Sequence, residues 1–395
     1  MTRYKSWKKG NFVPSHVDLL VSSRCNLKCV MCNVWHLAEK DPFIARRELE
    51  TTEYENLLDE LSSLGTKSVC ISGGEPLLRK DVFSIIKKAK EKNLFVELIT
   101  NGTLITHDTA QKLLASDVDL VTVSIDAPEF ELHDQIRGAN GLWEQSTKGL
   151  RTLYELRTKS KLQKPRLAID YVVNKINCKL IPEMIDLKNS LGFDEIHLLP
   201  IIGRTPVAEG LFLEIDDLRW LKQNLKLIRH KMKMQKLPTS KLIPISSICD
   251  DMEGATKGRY KILNVNLSKK AKREISCFAA CVQATIDPFG NVYPCCYACT
   301  FQNSSGDLTR TCWGDEDFPM GNLRQESFMH IWTGPKFHEF RNYCNKGRYN
   351  MCRSCGYDFS GSAVMTALLV KRGLLLRNFH KYAYQLIKKS VSEDT

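Results

Sequence analysis

Val17-Asp18-Leu19-Leu20-Val21-Ser22, followed after two residues by Cys25-Asn26-Leu27-Lys28-Cys29-Val30-Met31-Cys32, sets the reading of the whole chain. The apolar run ending in small hydroxyl residues reads as a strand, and three thiols follow it at C-x3-C-x2-C spacing. Three cysteines are one short of the four that normally close a [4Fe-4S] cube. A cube held at three corners leaves one iron open to a chelating ligand, so the spacing points to a catalytic cluster. Zinc also uses C-x2-C pairs. A structural zinc site, or a non-catalytic iron-sulfur module acting in electron transfer or partner binding, is therefore the alternative.

Outward from this strand, the first half of the chain alternates short β-branched runs with amphipathic stretches, the pattern of βα units around a parallel sheet. Strands are expected at Val17 to Ser22, Ser68 to Ser72, Phe95 to Thr100, Leu120 to Asp126, Leu167 to Asn174 and Glu195 to Ile201. Helical periodicity falls near 52–64, 81–92, 106–116, 142–159, 180–191 and 216–235, while Gly138 and Gly141 mark a loop. The fold class is α/β: a partial (β/α)6 TIM-like barrel, with function at the C-terminal ends of its strands. Cys25 to Cys32, Gly73-Gly74-Glu75-Pro76, Asn101, and Ser124 with Asp126 all fall at such ends.

The texture changes near residue 236, where Pro238, Pro244 and Gly254 interrupt a basic stretch before a cysteine-rich segment opens at Cys277. Residues 1–235 are read as the barrel and 236–360 as a small cysteine-rich α+β domain containing a hairpin from Ala284 to Cys295 with a Gly290-Asn291 turn. Residues 361–395 are read as a basic amphipathic helical tail. At 395 residues, 43% hydrophobic and 26% charged, the chain is globular in composition, and its composition does not indicate disorder. Its 15 cysteines accompany a basic N-terminus without a signal-peptide core, which predicts a reducing, cytoplasmic setting. The net charge of +12 concentrates in 219–241, with eight Lys or Arg and no acid, and in 257–273, with seven and no acid. Such blocks attract anions. They lack the aromatic signature of nucleic-acid binding, and with the tail they leave peripheral contact with an anionic membrane open.

A carboxylate in a glycine-flanked turn beside a three-cysteine loop suits the ammonium of an amino acid chelating the open iron, and the two glycines allow close backbone approach to a ligand. The chain resembles the radical SAM superfamily in Cys25, Cys29 and Cys32, in Gly73-Gly74-Glu75-Pro76, in the Thr100-Asn101-Gly102 turn, in Val123-Ser124-Ile125-Asp126 and in His133-Asp134-Gln135-Ile136-Arg137-Gly138. That resemblance implies that the three cysteines hold the SAM-binding [4Fe-4S] cluster and that Met31 lies against the adenine. It implies that Glu75, with Gly73, Gly74 and Pro76, binds the methionine amine. Ser124 is then a ribose contact, Arg137 a carboxylate contact, and Asn101 and Asp126 residues of the SAM shell. Core packing for Met31, strand termination for Ser124 and a surface ion pair for Arg137 are the plainer alternatives.

The second half resembles the SPASM extension, or its shortened form, in Cys277, Gly290, Cys295, Met320-Gly321-Asn322-Leu323, Ile331-Trp332 and Cys352-x2-Cys355. This implies one auxiliary [4Fe-4S] cluster on Cys277, Cys295, Cys352 and Cys355, with a four-thiolate zinc site as the alternative. Gly361 and Met365 stand where a fuller pattern has further cysteines. Cys281 competes with Cys277, and Cys296 with Cys295, although alternation along a strand should admit only one of that pair. The remaining cysteines read as inert buried thiols. The resemblance implies cleavage of SAM to a 5'-deoxyadenosyl radical and hydrogen abstraction from a substrate, for oxidation, crosslinking or epimerisation. A flavodoxin- or ferredoxin-like reductant is implied with it. The substrate is either a peptide or a small molecule, anionic or lipid-linked; about 16 residues before the first strand leave no room for a leader-binding domain.

Overall fold

The computed structural model describes residues 12–201, 208, 210–239, 279–296, 298–299 and 319–344. The tail, the 257–273 basic block, Cys277, Cys352 and Cys355 lie outside the described residues. Six parallel strands come first: β1 (His16–Ser22), β2 (Ser68–Gly73), β3 (Phe95–Thr100), β4 (Leu120–Ser124), β5 (Arg166–Val173) and β6 (Glu195–Pro200), each bonded to the next. Alternation along β1 places Val17, Leu19 and Val21, all 0% exposed, in one core with helix residues such as Leu58 and Ile85. Its other face carries His16, bonded at 2.8 Å to Ser68 of β2. The partial barrel is thus apolar toward its helices and polar toward its interior, as alternation requires.

The helices follow the sequence closely. They are α1 (Trp35–Lys40), α2 (Thr51–Leu64), α3 (Val82–Glu91), α4 (His107–Ala115), α5 (Phe130–Arg137), α6 (Leu142–Lys159), α7 (Ile181–Asp186), α8 (Lys188–Leu191) and α9 (Ile215–Met234). Two differences matter. The stretch read as one helix over 180–191 is divided at Leu187 into α7 and α8. Residues 130–137, outside the expected helices, form α5, whose C-cap Gly138 is left-handed at φ 88°. The polar residues His133, Asp134 and Arg137 hid this helix from periodicity because they are buried through tertiary partners.

The sheet does not end at β1. A short helix α10 (Ala279–Val282) leads into β7 (Gln283–Ile286), which pairs in parallel with β1, His16 opposite Gln283 and Leu19 opposite Ile286. The expected hairpin follows, with β8 (Asn291–Tyr293) antiparallel to β7 and β9 (Gly321–Asn322) antiparallel to β8. The described strands therefore form one sheet in the order β6-β5-β4-β3-β2-β1-β7-β8-β9. Helices α11 (Phe328–Thr333) and α12 (Pro335–Cys344) complete this half. Their anchor is Arg341, 6% exposed, whose guanidinium lies 4.2 Å from the Trp332 ring centroid and 4.7 Å from that of Phe337. Arg341 donates to the Ala280 and Trp332 carbonyls, and Trp332 Nε1 donates to Phe12 O at 2.8 Å. Arg324 reaches across to α2, pairing with Glu53 and donating to the Arg47 and Glu48 carbonyls. Among the described residues no helix is long and apolar enough to cross a membrane.

Arg341→Ala removes the stacked cation and both carbonyl bonds from a buried position, and is expected to destabilise the protein by about 3 kcal/mol. Urea unfolding of the cluster-free protein measures this; an unchanged midpoint would show that the contacts around Trp332 hold without it.

Candidate active site

The cysteine loop runs over the C-terminal end of β1 and is fixed by neighbouring backbone on both sides. On the β2 side, Gly74 N–H donates to Ser22 O at 2.7 Å and Glu75 N–H to Arg24 O at 2.8 Å. This approach explains the two glycines. A Cβ on Gly74 would stand 2.0 Å from the Arg24 oxygen, and one on Gly73, at φ 124°, would stand 2.7 Å from Ser22 O. The close approach expected toward a ligand is, at these carbons, an approach to the chain's own cysteine loop. On the other side, Val30 N–H donates to Ile136 O at 3.0 Å, and a Cβ on Gly138 would meet Lys28 O at 2.3 Å.

Glu75 has no exposed surface and works as a latch. Its carboxylate accepts from Leu77 N at 3.0 Å, Thr100 Oγ1 at 2.8 Å and Asn101 N at 2.8 Å, which ties the end of β2 to the turn after β3. Burial raises its pKa, with these donors acting in the opposite direction. Asn101 continues the chain of contacts: its Nδ2 donates to Asn26 Oδ1 at 2.9 Å, and Asn26 donates to Thr103 Oγ1 at 2.9 Å. Asn26, inside the cysteine motif, is thereby the residue that holds the loop to β3. Its role was not read from sequence, although its place between two thiols was the signal.

Arg137 is 7% exposed, so the surface-pair alternative does not describe it. Its Nη2 stands 2.5 Å from Asp126 Oδ2 and its Nη1 donates toward Cys29 Sγ at 3.8 Å. Burial works against the Arg137 charge, but Asp126 and Cys29 more than offset it, so the group lies above the ordinary arginine value. Asp126, 0% exposed, also accepts from Val172 N at 2.8 Å. His133 Nδ1 accepts from Asp126 N–H at 3.3 Å, and burial with the nearby Arg137 pushes its pKa down to about 3, leaving the ring neutral. Asp134 caps α6 through Gly141 N and Trp143 N. Neither His133 nor Asp134 had been assigned a role from sequence. Their spacing within the His133–Gly138 motif was the available signal.

The thiols are packed together around Leu27 and Leu142, with Cys29 7% exposed and Cys25 and Cys32 half-buried. Burial, helped by the neighbouring sulfurs, pushes the Cys25 thiol up to about 12 and the Cys32 thiol up to about 11. As free thiols, Cys25 and Cys32 stay protonated at neutral pH, and a bound metal is what would hold them as thiolates. Leu27 N–H donates to Cys25 Sγ at 3.4 Å, and with Arg137 at Cys29 this supplies the donors to sulfur that iron-sulfur sites use. The residues fit a cube held at three corners. Among the described residues no three His, Cys, Asp or Glu side chains are grouped to hold a single metal ion.

Met31 reaches across the mouth to an apolar group at the end of β6, formed by Ile201, Ala208 and Phe212 with Val172. Ser124 ends β4 half-buried, opposite Asp170 of β5, and Pro76 opens the single 3-10 turn after Glu75. In the second half, Cys295 is half-buried and its Sγ accepts from Ala298 N at 3.4 Å. Strand β8 ends at Tyr293, so alternation does not decide between Cys295 and Cys296, which lie in the turn beyond it. Cys281 is buried, and burial pushes its thiol up to about 11.

Glu75→Gln places an amide nitrogen against a buried donor, leaving at least one N–H unpaired at a cost of about 1–3 kcal/mol. A lower thermal midpoint of the cluster-free protein and reduced iron retention after reconstitution are expected; wild-type values for both would contradict the latch.

Residues 19–163 match the Radical SAM superfamily and residues 277–356 the SPASM iron-sulfur cluster-binding domain. The AdoMet-dependent heme synthase of Methanosarcina barkeri is 27% identical over 338 residues, covering 84% of this chain and 86% of that protein. The PqqA peptide cyclase of Granulibacter bethesdensis is 24% identical, covering 85% of this chain and 78% of that protein. In structure, Streptococcus suis SuiB bound to S-adenosylmethionine superposes with a TM-score of 0.60 at 17% identity, over 90% of this chain and 75% of that one. The chain carries a radical SAM domain and a SPASM-type iron-sulfur domain: it is an enzyme of radical oxidoreductase or maturase chemistry that uses S-adenosylmethionine and iron-sulfur clusters.

Proposed function

We propose that the site residues divide the work as follows, and that the substrate is a peptide. Cys25, Cys29 and Cys32 hold the SAM-site cluster. When bound and reduced, it supplies the electron that cleaves SAM to methionine and a 5'-deoxyadenosyl radical, which abstracts a substrate hydrogen. Met31, with Ile201 and Phe212, offers an apolar face to the adenine. The Gly73-Gly74-Glu75-Pro76 strap presents its rim to the methionine amine, Ser124 meets the ribose and Arg137 the methionine carboxylate. Asn101 and Asp126 act through Glu75 and Arg137, fixing the strap and the guanidinium so that the ligand's charged end meets groups already in place. Cys277, Cys295, Cys352 and Cys355 hold one auxiliary [4Fe-4S] cluster.

The observation that carries this reading is the single unit formed at the strand ends by the cysteine loop and the strap, joined by backbone hydrogen bonds, and by the Asp126–Arg137–Cys29 side-chain contacts. A peptide substrate is supported by the names of the PqqA peptide cyclase and of SuiB, whose structure with the precursor peptide SuiA superposes with a TM-score of 0.57. A barrel at 1–235, an auxiliary domain at 236–360, a basic tail at 361–395 that meets anionic membrane, cytoplasmic residence and a flavodoxin- or ferredoxin-like reductant complete the proposal.

Anaerobically reconstituted, dithionite-reduced protein is expected to form 5'-deoxyadenosine from SAM, and the Cys29→Ala variant to form none. A filled, reducible N-terminal cluster that neither binds SAM nor yields 5'-deoxyadenosine would sink the reading.

A further inference from the structure

A cavity of about 560 Å³ opens beside the cysteine loop, outside the strap and the Asp126–Arg137 chain. Its wall brings together Arg24 at the start of the cysteine loop, Arg46 from the short 3-10 turn before α2, the first residues of α2, and Arg79, Lys80 and Asp81 from the segment after β2.

The charges in this wall are of two kinds. One set is internally paired. Arg79, 8% exposed, donates to Asp81 at 2.7 and 2.8 Å and to the Val21 and Leu49 carbonyls. Glu48 accepts from Ser23 N and Ser23 Oγ, both at 2.7 Å, and Glu50 caps the N-terminus of α2, where the helix dipole favours a carboxylate. The other set is unmatched. Among the described residues Arg24, Arg46 and Lys80 have no carboxylate partner; Arg24 Nε is buried without a hydrogen bond, and Arg46 stacks on Phe43 at 4.5 Å. Three cations from three separate segments therefore face one cavity whose acids are already occupied.

We propose that this cavity anchors the peptide substrate by its acidic side chains, a reading that rests on the peptide-modifying function above. Guanidinium forks on Arg24 and Arg46 suit carboxylates, and their spread around a cavity of this size suits several single charges better than one compact one. The paired acids in the wall point the same way, since they repel a doubly charged phosphate more than a singly charged carboxylate. Arg24 adjoins Cys25, so a peptide held here continues toward the cysteine loop.

The test uses a fluorescein-labelled hexaglutamate peptide and the full chain, reconstituted anaerobically, with anisotropy read at about 150 mM salt to screen exposed charges beyond about 8 Å. Arg46→Gln with Lys80→Gln, and separately Arg24→Gln, are expected to weaken Kd at least about tenfold. A Lys222→Gln, Lys226→Gln, Lys233→Gln variant on the exposed face of α9 is expected to change it less than about twofold. Absence of peptide binding, equal losses in the cavity and α9 variants, or displacement of the peptide by inorganic phosphate at lower concentration than by acetate would each overturn the proposal. Iron content of every variant shows whether the cysteine loop is intact. SAM binding and 5'-deoxyadenosine formation by the wild type without peptide read the functional assignment by themselves, so the absence of both would undo that assignment independently of where the peptide binds.

Discussion

Two backbone hydrogen bonds at the ends of β1 and β2, Gly74 to Ser22 and Glu75 to Arg24, hold the cysteine loop at the barrel mouth. They can form only because no side chain stands at residue 74, where a Cβ would lie 2.0 Å from a carbonyl oxygen. The steric constraint is absolute at that distance, so the position of the loop and the glycine are one requirement. Glu75 extends the constraint to β3, since its buried carboxylate collects the Thr100 hydroxyl and the Asn101 amide. The turn after β3 then returns to the loop through Asn101 and Asn26. Three strand ends are thereby closed into one rigid rim.

The opposite side of the loop depends on a buried ion pair. Asp126 and Arg137 are both shielded from water, and such a pair is favourable only where its geometry and further hydrogen bonds offset desolvation. Here Val172 N–H and the Cys29 sulfur take up part of the remaining capacity, while Arg137 Nε is buried without a hydrogen bond. The guanidinium is fixed beside a cysteine by an acid from β4 and a helix that ends in a left-handed glycine. The second half of the chain is built onto the same frame, because β7 pairs directly with β1, and Arg324 and Trp332 tie its hairpin and helices to α2 and to the N-terminal segment.

Much of this was legible in the sequence. Each of the six strands lies within two residues of its expected bounds, because continuous apolar runs with small or polar boundaries leave few alternatives. What escaped depends on contacts between distant segments. Helix α5 carries His133, Asp134 and Arg137 in buried positions, and local periodicity cannot register polar residues that are buried by pairing with Asp126 or by capping α6. The parallel pairing of β7 with β1 joins residues near 16 and 283, and no local pattern encodes it. Glu75 was expected to face a ligand ammonium. Its three donors from this chain show a structural task that the motif alone does not reveal. Strand alternation does not separate Cys295 from Cys296, because the strand stops at Tyr293.

In the proposed function, Cys25, Cys29 and Cys32 hold a cluster with one open corner that SAM completes. Electron paramagnetic resonance of the reconstituted, dithionite-reduced protein, recorded before and after SAM addition, tests this most directly when wild type is compared with Cys295→Ala and Cys25→Ala. A SAM-induced change in the spectrum that persists in Cys295→Ala and is lost in Cys25→Ala is predicted. A reduced-cluster signal in the wild type that SAM leaves unchanged would contradict it.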